Sequence, residues 1–145
     1  MACNSIHSFT LSKKGQFTSF DPPGALRSQA FTINHAGAIV GPYHNLSSPA
    51  HIHGYLLYKG TFTTIDFPGA TDTYCVANNP QGDIAGGYWD TNGVEHGYLL
   101  SYGVFISFDY PDALWTSPGR INPNGVIVGS YSDAAGNIHG FPGNR

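Results

Sequence analysis

The sequence predicts an all-β fold assembled from a repeat of about 43 residues. A His-Gly-aromatic step recurs along the chain, and an Asp-X-Pro step follows it at nearly constant spacing. The 145 residues include 19 Gly and 10 Pro, so turns must be frequent and long helices are disfavoured. Between the landmarks, apolar residues alternate with small or polar ones in short runs, which is typical of half-buried strands.

Four landmarks recur in the same order. They are a His (His53, His96 and His139, with a degenerate copy at His7), the Asp of Asp-X-Pro (Asp21, Asp66 and Asp109), an Asn (Asn34, Asn79 and Asn122) and the Tyr of Gly-X-Tyr (Tyr43, Tyr88 and Tyr131). We therefore predict a single domain over 1–145, with repeats of roughly 7–52, 53–95 and 96–138 and a partial strand at 139–145.

Each repeat is predicted to contain four strands. In the clearest copy they cover residues 74–78, 84–88, 97–100 and 105–109. The joints between them contain the Gly, Asn or Pro that tight hairpins require. Only the connection from Asp-X-Pro to the next strand is longer. This pattern describes a four-stranded meander followed by a crossing loop.

Successive four-stranded meanders are typical of β-propeller blades, so we predict a propeller with three repeats per chain. The alternative is a β-trefoil monomer, which also has threefold repetition. Because propellers have about four to eight blades, we expect a homodimer with six blades. His7 and His139 begin the same strand, so one copy must be displaced at each joint, and Pro142 favours displacement of the C-terminal copy.

Charge and composition exclude several partners. A net charge of -3 and a pI near 6.1 provide no basic surface for nucleic acid. No apolar run reaches the ~20 residues that a membrane-spanning helix needs, so we expect no membrane insertion. No signal peptide is visible. Cys3 and Cys75 occupy non-equivalent positions, which predicts two reduced thiols.

Residues 62–70 have the sequence Phe-Thr-Thr-Ile-Asp-Phe-Pro-Gly-Ala, and Ile-Asn followed by Ile-Val-Gly-X-Tyr occurs at 33–43 and at 121–131. Together with His-Gly-aromatic, this pattern resembles the HAF-type repeat of bacterial extracellular proteins across almost the whole chain. The resemblance implies an extracellular or envelope-associated β-repeat protein. It supplies no catalytic motif.

Seven His invite a metal hypothesis, with symmetry-related His as ligands at a ring centre. A residue required once per repeat is better explained as a hydrogen-bonding partner within the scaffold. We predict structural roles for His53, His96 and His139, with Asp21, Asp66 and Asp109 as their partners. We expect no metal and no cofactor.

The remaining His, namely His35, His44 and His51, are not repeated. His51 and His53 lie on one side of a strand and could bind zinc or copper, but no third ligand has recognisable spacing, so exposed loop His are favoured. Asp90, Asn92 and Glu95 resemble half of a calcium loop. A hairpin turn that uses Asp and Asn for local backbone bonds explains the same residues without an ion.

Ligand-binding residues are predicted where the repeats differ. The crossing loop places Arg27, Asp72 and Trp115 at one aligned position with three different chemistries. Arg120 lies near the first strand of its repeat, and Trp89 adds an aromatic ring after Gly-X-Tyr. In a propeller these positions border the face and the channel mouth, so all five are candidates; ordinary surface drift is the alternative.

Two functions from different classes fit these residues. A non-catalytic module would bind a glycan or small molecule through Trp and Tyr rings and polar side chains. A small hydrolase or lyase would use Asp72, Asp90 or Glu95 as acid or base, with Arg120 or Tyr74 polarising the substrate. No nucleophile or phosphate-binding motif is present, so the catalytic residues are unknown and binding is favoured. A structural envelope scaffold is a third possibility.

Overall fold

A computed structural model describes residues 5–142. In that range the chain contains no helix and forms four antiparallel sheets, none of them closed on itself. The all-β class is confirmed. No helix within these residues has the length and apolarity needed to cross a bilayer. The strands are β1 (Ser8–Leu11), β2 (Phe17–Phe20), β3 (Ala25–Ser28), β4 (Thr32–Ile33), β5 (Ile39–Asn45), β6 (His53–Tyr58), β7 (Thr61–Ile65), β8 (Asp72–Asn78), β9 (Ile84–Trp89), β10 (Glu95–Ser101), β11 (Val104–Phe108), β12 (Trp115–Ile121), β13 (Ile127–Ser132) and β14 (Ile138–Pro142).

The strands group into three sheet units and one hairpin. Strands β1 and β2 form the N-terminal hairpin; the first unit contains β3 to β7, with β3 and β4 both pairing with β5. The second unit is the meander β8-β9-β10-β11, and the third is β12-β13-β14. Each unit begins after an Asp-X-Pro step, so the sheet of each unit joins parts of two consecutive sequence repeats.

Cross-strand register aligns the three units residue by residue. Tyr43, Tyr88 and Tyr131 of the second strands lie opposite Ser28, Thr73 and Thr116 of the first strands. Arg27, Asp72 and Trp115 immediately precede Ser28, Thr73 and Thr116 in the sequence. They therefore occupy equivalent places in the three sheets, at or near the start of each first strand. The prediction that they lie in the crossing loop is wrong, because the first strands begin before or at these residues.

Close approach between first and second strands requires Gly in the Gly-X-Tyr step. A Cβ atom added to Gly86 would collide with the carbonyl oxygen of Tyr74, and Gly41 meets the carbonyl of Gln29 in the same way. Tyr98 on the third strand donates its hydroxyl hydrogen to that Tyr74 carbonyl at 3.1 Å. The absence of a side chain at Gly86 thus lets the strands approach closely, while the buried Tyr98 provides a hydrogen-bond donor for the Tyr74 carbonyl oxygen.

The main hydrophobic core lies between the first and second units. Its buried members are Val40, Ile65, Cys75, Ile84 and Tyr98. Cys75 is a free thiol with no exposed surface, and burial raises its pKa to about 12. Cys3 lies outside the described residues.

The repeated Asn residues connect one unit to the next. Asn34 donates from Nδ2 to the carbonyl oxygen of Asn79 at 3.0 Å, and Asn79 donates in turn to that of Asn122 at 3.3 Å. Each Asn also accepts a backbone N–H bond within its own turn through Oδ1. The side chains of Asn34 and Asn79 therefore both close a turn and bond to the next sheet.

Candidate functional site

The repeated His residues contact the Asp of the Asp-X-Pro step. The Nδ1 atom lies 2.7, 2.9 and 2.8 Å from a carboxylate oxygen in the pairs His7–Asp21, His53–Asp66 and His96–Asp109. Each contact joins the start of a third strand to the residue that follows the fourth strand. The sequence spacing of about 13 residues is therefore the length of one hairpin.

The second ring nitrogen contacts the turn before the third strand. Nε2 of His96 lies 3.1 Å from Oδ2 of Asp90, and Nε2 of His139 lies 2.8 Å from Oδ2 of Asp133. Hydrogen bonds with two carboxylates favour the protonated ring of His96. Burial alone would lower the pKa of His96, but the bonds with Asp90 and Asp109 outweigh it and raise the pKa above its ordinary value.

Within residues 5–142, no three His, Cys, Asp or Glu side chains converge as a metal site would require. The Asp90 turn uses its carboxylate locally: Oδ1 accepts the backbone N–H groups of Asn92 at 2.8 Å and Val94 at 3.0 Å. Asp133 makes the same pair of backbone contacts in the third unit. This is the hairpin arrangement that the sequence favoured over a calcium loop.

The five predicted ligand residues lie in three places. Asp72 and Trp89 are cross-strand partners in the second unit. Arg27 lies in the first unit, opposite His44. Trp115 and Arg120 both belong to β12, where Trp115 begins the strand and Arg120 precedes its last residue. The structure thus brings together only Asp72 and Trp89.

The surroundings of Asp72 and Trp89 are filled by protein. Asp72 accepts the backbone N–H of Ile52 at 2.8 Å. The Tyr74 ring lies 5.3 Å from that of Trp89, and its hydroxyl donates to Glu95. Burial and the bond to Glu95 raise the pKa of Tyr74. Tyr74 is therefore a neutral packing residue that occupies this position.

The first unit has a cavity at the equivalent position. There Gln29 and Pro42 replace Tyr74 and Gly87, so no aromatic ring fills the space between the strands. The cavity encloses about 220 Å³ and is lined by Arg27, Ser28, Gln29, Pro42, His44, Ile6 and Ile52. One of the five predicted ligand residues, Arg27, therefore lines an open cavity.

The polar groups of this cavity combine donors with an acceptor. The side chain of Arg27 is exposed and makes no hydrogen bond or ion pair with any residue of the described range. His44 lies with Nδ1 3.1 Å from the carbonyl oxygen of Pro49, which assigns the proton to Nδ1 and leaves Nε2 as an acceptor. Gln29 adds an exposed amide group. The arrangement suits a small ligand with an acidic group and hydroxyl groups.

Two lining residues were missed as ligand candidates. His44 was predicted to be an exposed loop His, which is wrong because it lies partly buried in β5. No role was predicted for Gln29. Their signal was available in the aligned columns, since Gln29 replaces Tyr74 of the next unit and His44 replaces Trp89. Both substitutions reduce side-chain volume. A loss of volume is harder to recognise in a sequence than a new charged or aromatic group.

Asn78 is a further departure from the repeat. Its equivalents are Ile33 and Ile121, yet Asn78 is buried and donates from Nδ2 to the carbonyl oxygen of Ala38 at 2.9 Å. Its Oδ1 has no hydrogen-bond donor among residues 5–142. Asn78 also lines a second small cavity of about 270 Å³ between the first and second units.

Comparison with protein-family models, with curated proteins and with solved structures finds no match to this chain. The similarity to the HAF-type repeat stays a prediction that depends on the sequence motifs.

Proposed function

We propose that this protein is a non-catalytic binding module whose sheet units are β-propeller blades. Its ligand is a small carboxylate-bearing polyol, of the size of a single uronic acid residue, held in the cavity beside Arg27. The observation that carries the proposal is the replacement of a filled aromatic contact at Tyr74 by an open cavity beside the exposed guanidinium group of Arg27.

Size and charge select the ligand class. A volume of about 220 Å³ is below the roughly 300–1,000 Å³ of drug-sized sites, so one ring fits and a long chain does not. The guanidinium of Arg27 matches the fork of a carboxylate in a bidentate contact. Gln29 and His44 supply hydrogen-bonding groups suited to hydroxyls.

The three carboxylates that were candidates for acid or base catalysis all accept hydrogen bonds from the protein, which supports a non-catalytic role. Asp72 accepts from Ile52, Asp90 from its own turn, and Glu95 from Tyr74. A general acid or base must exchange its proton with a substrate, whereas these carboxylates are already bonded to protein donors. None of the three lines the cavity beside Arg27.

The blade assignment is supported by the meander order of the second unit and by the contacts between units. Thr32 donates to the carbonyl oxygen of Val76 at 2.8 Å, and such a contact between the first strands of two units is what neighbouring propeller blades would make. An extracellular or envelope location is proposed on the motif similarity alone.

The test is calorimetric titration with glucuronate, using glucose as the uncharged match. We expect glucuronate to bind and glucose to bind at least tenfold more weakly. Arg27→Ala should weaken glucuronate binding at least tenfold, about 1.4 kcal/mol, because it removes the charge partner. Arg120→Ala is the matched control: it removes another exposed Arg outside the cavity and should change nothing.

Equal binding of glucose and glucuronate would contradict the acidic ligand class. An unchanged affinity in Arg27→Ala would contradict the site. A loss in Arg120→Ala that equals the loss in Arg27→Ala would move the ligand to the third unit.

A further inference from the structure

The third unit has a large apolar groove along one side. The groove encloses about 610 Å³ and its apolar lining includes Leu99, Ile106, Phe108, Tyr110, Ile127 and Phe141. Within residues 5–142, β14 pairs with β13 on one side and with no strand on the other. The groove is therefore not covered by a fourth strand.

The matching space in the second unit is filled by its fourth strand. Phe105 of β11 lies 5.3 Å from the ring of Tyr98 and 5.2 Å from that of Phe67. The rings of Phe67 and Tyr98 are 6.1 Å apart, and their third-unit counterparts, Tyr110 and Phe141, are also 6.1 Å apart. The third unit thus has the same aromatic frame without its central ring.

The N-terminal hairpin carries the strand pair that the third unit lacks. Leu11 pairs with Phe17 as Leu100 pairs with Phe105, so the hairpin matches the third and fourth strands of a unit. Phe9 and Phe17 lie 5.6 Å apart and are 59% and 67% exposed. Strand β1 pairs with β2 alone among the described strands.

We propose that the hairpin of a second copy completes the third unit. Strand β1 of the second copy pairs with β13 in place of β14, so that Phe9 replaces Phe141 opposite Gly129. Strand β2 then brings Phe17 into the groove at the position of Phe105. The exchange is reciprocal, so two joints close a ring of six units, and the third sheet of each copy gains a fourth strand. This assembly rests on the blade arrangement proposed above and is independent of the ligand.

His139 identifies β14 as the strand to be displaced. In the complete second unit, His96 contacts two carboxylates, those of Asp90 and Asp109. In the third unit, Asp133 is the only carboxylate among the described residues that His139 contacts. Four of the five residues of β14 are exposed, so its displacement uncovers little apolar surface.

His7 restores the missing contact. It already pairs with Asp21 at 2.7 Å, while its Nε2 lies 3.1 Å from the exposed hydroxyl of Ser5. Pairing of β1 with β13 in the register of β10 with β9 places His7 opposite Tyr131, beside Asp133. His7 then contacts two carboxylates, as His96 does.

The hairpin of each chain is bonded to its own first unit by the same kind of backbone hydrogen bond that connects the first unit to the second. Ser28 donates its backbone N–H to the carbonyl oxygen of Ile6 at 2.8 Å, and Thr73 donates to that of Ile52 at 2.9 Å. When the hairpin of one copy binds to the third unit of the other, its own first unit therefore lies next to that third unit. The spacing between them is that of consecutive units within one chain.

The series of Asn contacts continues across the same joint. Asn34 donates to Asn79 and Asn79 to Asn122. In the ring, Nδ2 of Asn122 donates to the carbonyl oxygen of Asn34 in the second copy. Six Asn residues then form one closed series, three from each copy.

Light scattering after size exclusion measures the assembly. The wild-type chain should have about twice its mass of 15.5 kDa at micromolar concentration. Phe17→Ser should raise the dimer dissociation constant at least tenfold, because it empties the groove. Leu46→Ser is the matched control, since Leu46 is 69% exposed but lies outside the hairpin and the groove.

A cysteine pair tests the strand register directly. In the Cys3→Ser background, Thr10→Cys with Val128→Cys should give a disulfide-linked dimer on a non-reducing gel, because β1 and β13 place these residues opposite each other. Thr18→Cys with Val128→Cys is the control and should remain unlinked, since Thr18 lies on β2.

A monomeric wild-type chain would overturn the proposal. Equal cross-linking by the two cysteine pairs would overturn the strand register. Linked species larger than a dimer would overturn closure as a six-unit ring.

Discussion

The second and third units have the same first three strands but differ in how well these strands are covered. In the second unit, Tyr98 is fully buried between Phe67 and Phe105. In the third unit, Phe141 holds the equivalent place and is only partly buried. The difference shows that a fourth strand does more than extend a sheet: it supplies the ring that closes the aromatic cluster between neighbouring units.

Truncation of the third-strand aromatic residue should break this comparison most strongly. Tyr98→Ala should lower the free energy of unfolding by about 3–5 kcal/mol, because it opens a cavity and leaves the Tyr74 carbonyl oxygen without its donor. Phe141→Ala should cost less than about 1 kcal/mol, since Phe141 packs against fewer side chains. Urea unfolding of both variants measures the difference. Equal losses would show that the fourth strand contributes nothing to the burial of the ring.

The His residues provide a pH-dependent form of the same comparison. The folded pKa of His96 is raised by its two carboxylates, so its stabilisation is full below its ordinary pKa of 6.5 and is lost as pH rises through the folded value. His96→Gln should therefore cost about 0.5–1.5 kcal/mol near pH 6 and less near pH 8. His139→Gln, with one carboxylate contact, is the matched variant and should cost less at pH 6.

Thermal melts at the two pH values follow this effect, and NMR titration of the His96 ring measures its pKa. A melting temperature of His96→Gln that differs from wild type equally at both pH values would show that the contacts act through packing alone.

The smallest expected effect separates the two Trp residues. Trp89 packs against Tyr74, so Trp89→Ala should cost about 1–2 kcal/mol. Trp115 begins β12 at an aligned position where the repeats vary, and Trp115→Ala should change stability by no more than about 0.5 kcal/mol. Chemical denaturation followed by circular dichroism distinguishes them. A larger loss in Trp115→Ala would assign Trp115 to the core of the third unit.

Short-range pattern was enough to predict the strands and turns. The four strands predicted around 74–109 occur as β8 to β11, with bounds that differ by at most two residues. The Asn and Asp turns follow in the same way, because Asx side chains bond the backbone a few residues away. The contacts of His53 with Asp66 and of His96 with Asp109 also span a single hairpin, so their spacing is visible in the sequence.

Contacts between units were beyond the reach of periodicity. The sequence marked Asn34 and Asn79 as equivalent residues but could not show that one donates to the other, because they lie 45 residues apart and meet only when sheets pack. The same holds for the buried Asn78, whose neighbour Ala38 belongs to another unit. Closure of the sheets into a propeller or a trefoil depends on such packing.

The sequence by itself determined the all-β class, the repeat and the positions at which the repeats differ, since alternation and spacing are local properties of the chain. Only the tertiary structure decided which of those positions is open. Arg27, Asp72 and Trp115 are equivalent in sequence, yet Arg27 lines a cavity because Gln29 is too small to fill the space that Tyr74 fills one unit later. The volume left between packed side chains depends on all the neighbouring residues together, so it cannot be predicted from one aligned position of the repeat.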